Sequence, residues 1–197
     1  MKSCQQGIGL IEVLVALMLL AIAVLGFTAM QMTAVKATDE SLIRTRALAI
    51  MRGGAEMMRA NPDGIAAFKS ALNGTATSVT VDSVAITKDS CITNTSTAPT
   101  ACTINQTATK DALSLKQYAT DNELSIAMVT CPGTGTTTTT TTSGTTTTTT
   151  TVSGQERQCF VTSWGSTTTT LGTGSDDCAD AEGIYKSAAQ CFIMEAY

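Results

Sequence analysis

An uninterrupted apolar run near the N-terminus constrains this chain more than any other feature. Residues 13–26 read VLVALMLLAIAVLG, and between Ile8 and Val35 the only charged side chain is Glu12. A helix over these 28 residues, at about 1.5 Å per residue, is longer than the roughly 30 Å hydrocarbon core of a bilayer. We therefore expect residues 8–35 to form a membrane-spanning helix.

The carboxylate of Glu12 lies inside this apolar run and limits how the run can be interpreted. A carboxylate in the apolar part of a bilayer costs about 2.5–3.5 kcal/mol on insertion scales, and such residues usually have a function. A cleavable secretory signal does not fit, because the run is too long and a helical pattern continues beyond it. A plain single-span anchor fits the length but leaves Glu12 without a role, apart from reaching the nearby interface. Lys2, the one charge ahead of the run, favours a cytoplasmic N-terminus.

The helical pattern continues from residue 36 to residue 61. The residues that recur at steps of three and four, as on one face of an amphipathic helix, are Ile43, Ala47, Ile50, Gly54 and Met57 or Met58. Pro62 should end this helix near Ala60, because proline lacks the N–H group and restricts the residue before it. The pair Gly53-Gly54 weakens the helix by about 1 kcal/mol per glycine relative to alanine. The pair is either a hinge or, as we favour, a place where a strand packs closely on the helix.

Beyond Pro62 the pattern changes to short segments of another kind. Candidate strands cover residues 78–87, 123–130, 158–164 and 190–197, and residues 111–119 fit a short helix. In the second candidate strand Leu124, Ile126 and Met128 alternate, so they share one face. We therefore predict an α+β fold in which a β-rich domain over residues 62–197 packs its antiparallel sheet on the amphipathic half of the long helix.

Seven cysteines are many for a chain of 197 residues, and they indicate disulfides. Six of them follow residue 90 and none forms a C-x-x-C pair, which argues against a zinc knuckle or a thioredoxin-like centre and for an oxidising compartment. Six cysteines allow fifteen pairings, and the sequence alone does not choose among them. The arrangement we favour joins Cys91 to Cys102, Cys131 to Cys159, and Cys178 to Cys191. The first and third bonds would close short loops, and the second would hold the base of the threonine-rich segment between its two cysteines.

That segment, residues 132–158, contains two runs of seven threonines separated by Ser143-Gly144. Threonine favours strands, so the two runs could pair as a long hairpin across the Ser-Gly turn. Nothing in the segment can build a core, so a mobile loop is the alternative.

Composition excludes several classes of activity. The chain has no histidine, which removes the usual nucleophilic triads and imidazole metal ligands. Its net charge of −4 gives no sign of nucleic-acid binding. The acidic residues of the C-terminal region, Asp176, Asp177, Asp180 and Glu182, lack the spacing of an EF-hand, and we interpret them as a solvated loop rather than a calcium site. We predict no enzyme activity, no metal and no cofactor.

The segment Gly7-Ile8-Gly9-Leu10-Ile11-Glu12, followed by the apolar run, resembles the class III signal of type IV pilins and of type II secretion pseudopilins. The resemblance implies that a prepilin peptidase cleaves after Gly7, that Ile8 becomes a methylated N-terminus, and that Glu12 assists assembly. Two positions depart from the family pattern, since Ile8 stands where phenylalanine is usual and Gly9 where threonine is common. Cleavage would also remove Cys4 with the leader 1–7 and leave an even number of cysteines.

A narrower resemblance concerns about the first third of the chain. Leu10–Gln31 and Arg44–Gly64, with the string Met58–Pro62, are similar to PilV-type minor pilins, also called type IV pilus modification proteins. This resemblance implies a pilin fold and a structural subunit at or near the pilus tip. Its partners would be other major and minor pilins, the prepilin peptidase, the inner-membrane assembly platform and, before assembly, membrane lipid. The resemblance also implies an inner-membrane protein with a periplasmic C-terminal domain that later enters a surface pilus. A type II secretion minor pseudopilin and a membrane-anchored binding module that does not polymerise remain the alternatives.

Overall fold

The computed structural model describes residues 9–91, 101–132, 136–142, 145–151 and 157–196, with the backbone alone for the two threonine segments. By its internal contacts the chain divides into two units, Met1–Thr45 and Arg46–Tyr197.

Helix α1 runs without a break over Leu10–Ala60, so the end predicted from Pro62 is confirmed. In the second unit one face of this helix is buried, and its buried residues are Ala47, Ile50, Met51, Gly54, Ala55 and Met58. Their successive spacings alternate between three residues and one, so every second member lies four residues on, as in a helix stripe that faces a core. The amphipathic pattern in the sequence therefore identified the packed face of the helix.

The chain continues helically after Pro62, which the sequence analysis did not predict. A 3₁₀ turn over Pro62–Gly64 leads directly into helix α2, Ile65–Asn73. The proline stands at the first position of the turn, where its missing N–H costs nothing. It ends α1 and begins the next helical segment. Phe68, Ala71 and Leu72 form the buried face of α2.

The first predicted strand, 78–87, is in fact a small hairpin. Strands β1, Val79–Val81, and β2, Val84–Ile86, pair antiparallel around Asp82 and Ser83. Both turn residues have positive φ, 54° and 65°, as a two-residue turn of matching twist requires. The polar pair in an otherwise β-branched segment therefore marks a turn.

Helix α3 covers Ile104–Asp121, so the prediction of a short helix over 111–119 was too short. The helix begins earlier because Thr103 and Gln106 form a capping box. The Gln106 N–H donates to the Thr103 hydroxyl, and the Thr103 N–H donates to the Gln106 side chain at 3.1 Å. This reciprocal pair supplies partners for two N–H groups that would otherwise lack them.

Strands β3, Ser125–Thr130, β6, Gln158–Ser163, and β7, Cys191–Glu195, form an antiparallel sheet in the order β3-β6-β7. The central strand β6 is buried along its whole length. From β6, Phe160 packs towards α1 and α2, whereas Val161 packs with Cys178 and Cys191 on the other face. The predicted α+β fold with an antiparallel sheet beside the long helix is confirmed. The region after Pro62 is less β-rich than expected, because two helices complete its core.

The two threonine runs form strands β4, Thr136–Thr142, and β5, Thr145–Thr151, which pair antiparallel from Thr136 with Thr151 to Thr142 with Thr145. Of the two alternatives for this segment, the structure has the hairpin. The hairpin is inserted between β3 and β6. The ladder of those two strands is extended by one hydrogen bond, in which the Cys131 N–H donates to the Arg157 carbonyl at 2.9 Å.

Candidate functional site

The carboxylate of Glu12 lies on the first turn of α1. The Gly9 carbonyl accepts the Glu12 N–H at 2.9 Å and the Val13 N–H at 3.4 Å, so the backbone around the carboxylate is already helical. Glu12 is exposed, and within the described part of the chain its carboxylate makes no hydrogen bond or ion pair. A negative charge on the first turn is favourable for the helix dipole. Gly7 and Ile8, the predicted cleavage and methylation positions, lie outside the described residues.

An apolar surface surrounds Glu12 on the first unit. The large apolar side chains from Leu10 to Val35 are all about half exposed or more, from 49% at Val15 to 83% at Leu10. This segment of α1 is long and apolar enough to cross a membrane. Isolated leucines are common on protein surfaces, but a continuous apolar surface of this extent marks an interface with lipid or with another protein. Glu12 is the one ionisable group within this surface.

The three disulfides of the described chain join Cys91 to Cys102, Cys131 to Cys159, and Cys178 to Cys191. These are the pairs that the sequence analysis favoured. Cys178 and Cys191 are buried against Val161, so their bond attaches the segment after β6 to strand β7. The bond between Cys131 and Cys159 lies where the threonine hairpin leaves the sheet.

Two carboxylates of the C-terminal acidic loop, those of Asp177 and Asp180, accept backbone N–H groups of the loop. The Asp177 carboxylate accepts the Thr170 hydroxyl, the Gly174 N–H at 2.8 Å and the Thr168 hydroxyl at 3.2 Å. These hydrogen bonds, that of Thr170 first, lower the pKa of Asp177 from its ordinary value. The Asp180 carboxylate accepts two further backbone N–H groups of the loop. No group of three or more potential metal ligands occurs in the described ranges.

Two residues that were not assigned to a site from the sequence each occupy one backbone position at an edge of the sheet. On β3, the Asn73 side chain donates to the Met128 carbonyl at 2.8 Å and accepts the Met128 N–H at 2.9 Å. On β7, the Tyr185 hydroxyl accepts the Ile193 N–H at 3.0 Å. Each contact occupies a backbone position that an added strand would use. Neither contact has a local sequence signal, since Asn73 and Met128 are 55 residues apart.

Two family models match this chain. The prokaryotic N-terminal methylation motif matches residues 2–28, and the Tt1218-like family, described as type IV pilin Tt1218, matches residues 29–113. No curated protein and no solved structure matches the chain. The matched ranges adjoin each other and include the apolar helix, its carboxylate and the amphipathic segment that packs in the second unit. This apolar helix fits a membrane-anchored subunit that later enters a pilus. The chain is therefore a type IV pilin-like protein and carries the N-terminal methylation motif of prepilins.

Proposed function

We propose that this chain is a PilV-type minor pilin, which joins a type IV pilus at or near its tip. The observation that carries this proposal is the exposed carboxylate of Glu12 on an apolar helical surface. A filament subunit needs such a surface, because the helices of neighbouring subunits pack against it. The carboxylate then requires a partner at a defined position, since an unpaired charge in an apolar bundle is strongly disfavoured.

The partner is the α-amine that cleavage after Gly7 creates on Ile8. A free α-amine is ordinarily cationic near neutral pH. Glu12 of an incoming subunit pairs with the Ile8 amine of a neighbour, and this pair sets the axial register of the two helices. Removing either charge leaves the other buried and unpaired, so assembly depends on both.

Before assembly the apolar helix spans the inner membrane, with its N-terminus in the cytoplasm and the disulfide-bonded domain in the periplasm. The single charge ahead of the helix, Lys2, supports this orientation. Three disulfides support an oxidising compartment for the domain. The partners at this stage are membrane lipid, the prepilin peptidase, the inner-membrane assembly platform, and other major and minor pilins.

The direct test compares Glu12→Gln with Glu40→Gln in the producing cells. Glu40 is also exposed on α1 but lies beyond the apolar run, paired with Arg44 at 2.5 Å. We expect both variants to be cleaved and inserted, and only Glu12→Gln to be depleted from sheared pili measured by immunoblot. Normal incorporation of Glu12→Gln would refute the assembly role.

A second measurement separates this proposal from its rivals. Mass spectrometry of the mature N-terminus should find a methylated Ile8, whereas an intact leader would make the chain a plain membrane anchor. Copurification with pili supports the minor pilin. Copurification with a secretion complex instead would make the chain a type II secretion pseudopilin.

A further inference from the structure

The threonine hairpin differs from the main sheet in how its edges are occupied. Both edges of the sheet β3-β6-β7 carry a side chain on the backbone, Asn73 on Met128 and Tyr185 on Ile193. Within the described ranges, strands β4 and β5 pair only with each other. Each strand of the hairpin therefore has one seven-residue edge with no strand beside it. Unpaired edges of this kind are templates for another strand.

The sequence of the hairpin lacks the features by which proteins usually block such edges. No charged residue occurs between Cys131 and Glu156, and neither threonine run contains proline or glycine. Seven-residue segments of high β-propensity, without charge or proline, are those that associate with copies of themselves. The chain as a whole carries a net charge of −4, so two copies repel each other generally but not through this neutral segment.

The uniform sequence also makes the hairpin self-complementary. Two antiparallel copies of β4 present threonine opposite threonine at every position, as β4 and β5 already do within one chain. Threonine pairs across strands are favourable. A two-stranded hairpin alone is only marginally stable in water, and additional strands stabilise it.

We propose that the β4–β5 hairpin is a homotypic interaction surface, which pairs edge to edge with the same hairpin of a second copy of this chain. The two hairpins join like strand to like strand, in antiparallel orientation, and form a four-stranded sheet. This contact is isologous, because the same strand of each copy forms it. It is separate from the helix contact of Glu12 and does not depend on it.

The experiment places a photoreactive amino acid at position 140 of the full-length chain in detergent micelles. Crosslinks between copies are mapped by mass spectrometry, so that contacts between hairpins are distinguished from clustering of the apolar helices. One variant carries Thr138→Lys with Thr146→Lys, and a second carries Thr138→Glu with Thr146→Glu. These positions are not register partners in the hairpin, because Thr138 pairs with Thr149 and Thr141 pairs with Thr146. Thr138→Ser with Thr146→Ser is the neutral control.

We expect the unsubstituted chain and the serine control to form crosslinks between two 136–151 segments. When the lysine variant or the glutamate variant is the only chain present, its crosslink yield should be about tenfold lower, because like charges on adjoining strands repel. An equimolar mixture of these two variants should regain it, which a loss of hairpin structure would not allow. The proposal is overturned if the unsubstituted chain gives no such crosslinks, if the charged variants crosslink as well as the control, or if the mixture restores nothing.

Discussion

Gly54 of helix α1 lies directly against Phe160 of strand β6. A Cβ atom at position 54 would be 2.8 Å from Cζ of Phe160 and 2.8 Å from Cδ2 of Leu115. The Phe160 side chain is fully buried, and its ring meets that of Phe68 edge to face with centroids 6.2 Å apart. The ring is therefore enclosed within the core and cannot turn out into solvent. The absence of a side chain at Gly54 sets how closely the helix approaches the sheet.

The first prediction is that Gly54→Ala lowers the free energy of unfolding by about 1–3 kcal/mol, because overpacking a rigid core costs this much. The matched control is Gly53→Ala, where a Cβ would have no atom within 4 Å. This control should instead gain up to about 1 kcal/mol from the higher helix propensity of alanine. Denaturant unfolding of both variants, with disulfides intact, checks the pair. Equal effects of the two substitutions would contradict the close approach.

The second prediction concerns Asn73 at the edge of β3. Asn73→Ala should lower the free energy of unfolding by about 1–3 kcal/mol, since the N–H and carbonyl of Met128 both lose their partner. Asn73→Asp should lower it too, because a carboxylate cannot donate to the Met128 carbonyl. Gln117→Ala removes an exposed side-chain hydrogen bond to Asp121 and should change stability by less than about 0.5 kcal/mol. Hydrogen exchange at Met128 gives a local measure, and unchanged protection in Asn73→Ala would disprove the contact.

The third prediction compares two disulfides. Replacing Cys178 and Cys191 with alanine should lower the free energy of unfolding by more than the ~2–4 kcal/mol that is typical of a disulfide. The reason is that both cysteines are also buried in the core. Replacing Cys91 and Cys102 should cost no more than that range, since Cys91 is exposed. Thermal unfolding under oxidising conditions measures both losses. A larger loss for the second pair would show that burial does not govern the difference.

The fourth prediction is a pH dependence that arises from Asp177. Its pKa in the folded state lies below the ordinary value of 3.8, so its carboxylate stabilises the fold fully above that value. This contribution is lost as the pH falls through the lower folded pKa. Thr170→Val removes the hydrogen bond that contributes most, and it should raise the pKa of Asp177 towards its ordinary value. An NMR titration of the Asp177 carboxyl carbon in both proteins tests this, and identical midpoints would refute the role of Thr170.

Local signals in the sequence predicted much of the helix and of the sheet. The spacing of Ala47, Ile50 and Gly54 identified the buried face of α1, and Pro62 identified its end. The alternation of Ile126 and Met128 identified strand β3. The extent of α3 was underestimated, because Thr103 and Gln106 begin it through a reciprocal cap outside the apolar pattern. Helix α2 was missed, because a proline that ends one helix also suits the first turn of the next.

Periodicity, composition and a short motif thus determined what this chain is built from: an apolar helix with one carboxylate, a packed amphipathic continuation, and a cysteine-rich α+β domain. These features depend on residues that lie close together along the chain, so they can be predicted from the sequence alone. Only the tertiary structure decided that Gly54 faces Phe160, that Asn73 binds the backbone of Met128, and that Asp177 binds the hydroxyl of Thr170. The first two contacts join residues far apart in the sequence, and all three depend on distances of a few ångströms. The pair Gly53-Gly54 indicated that a strand packs closely on the helix, but which residues meet there is fixed only when the whole core packs.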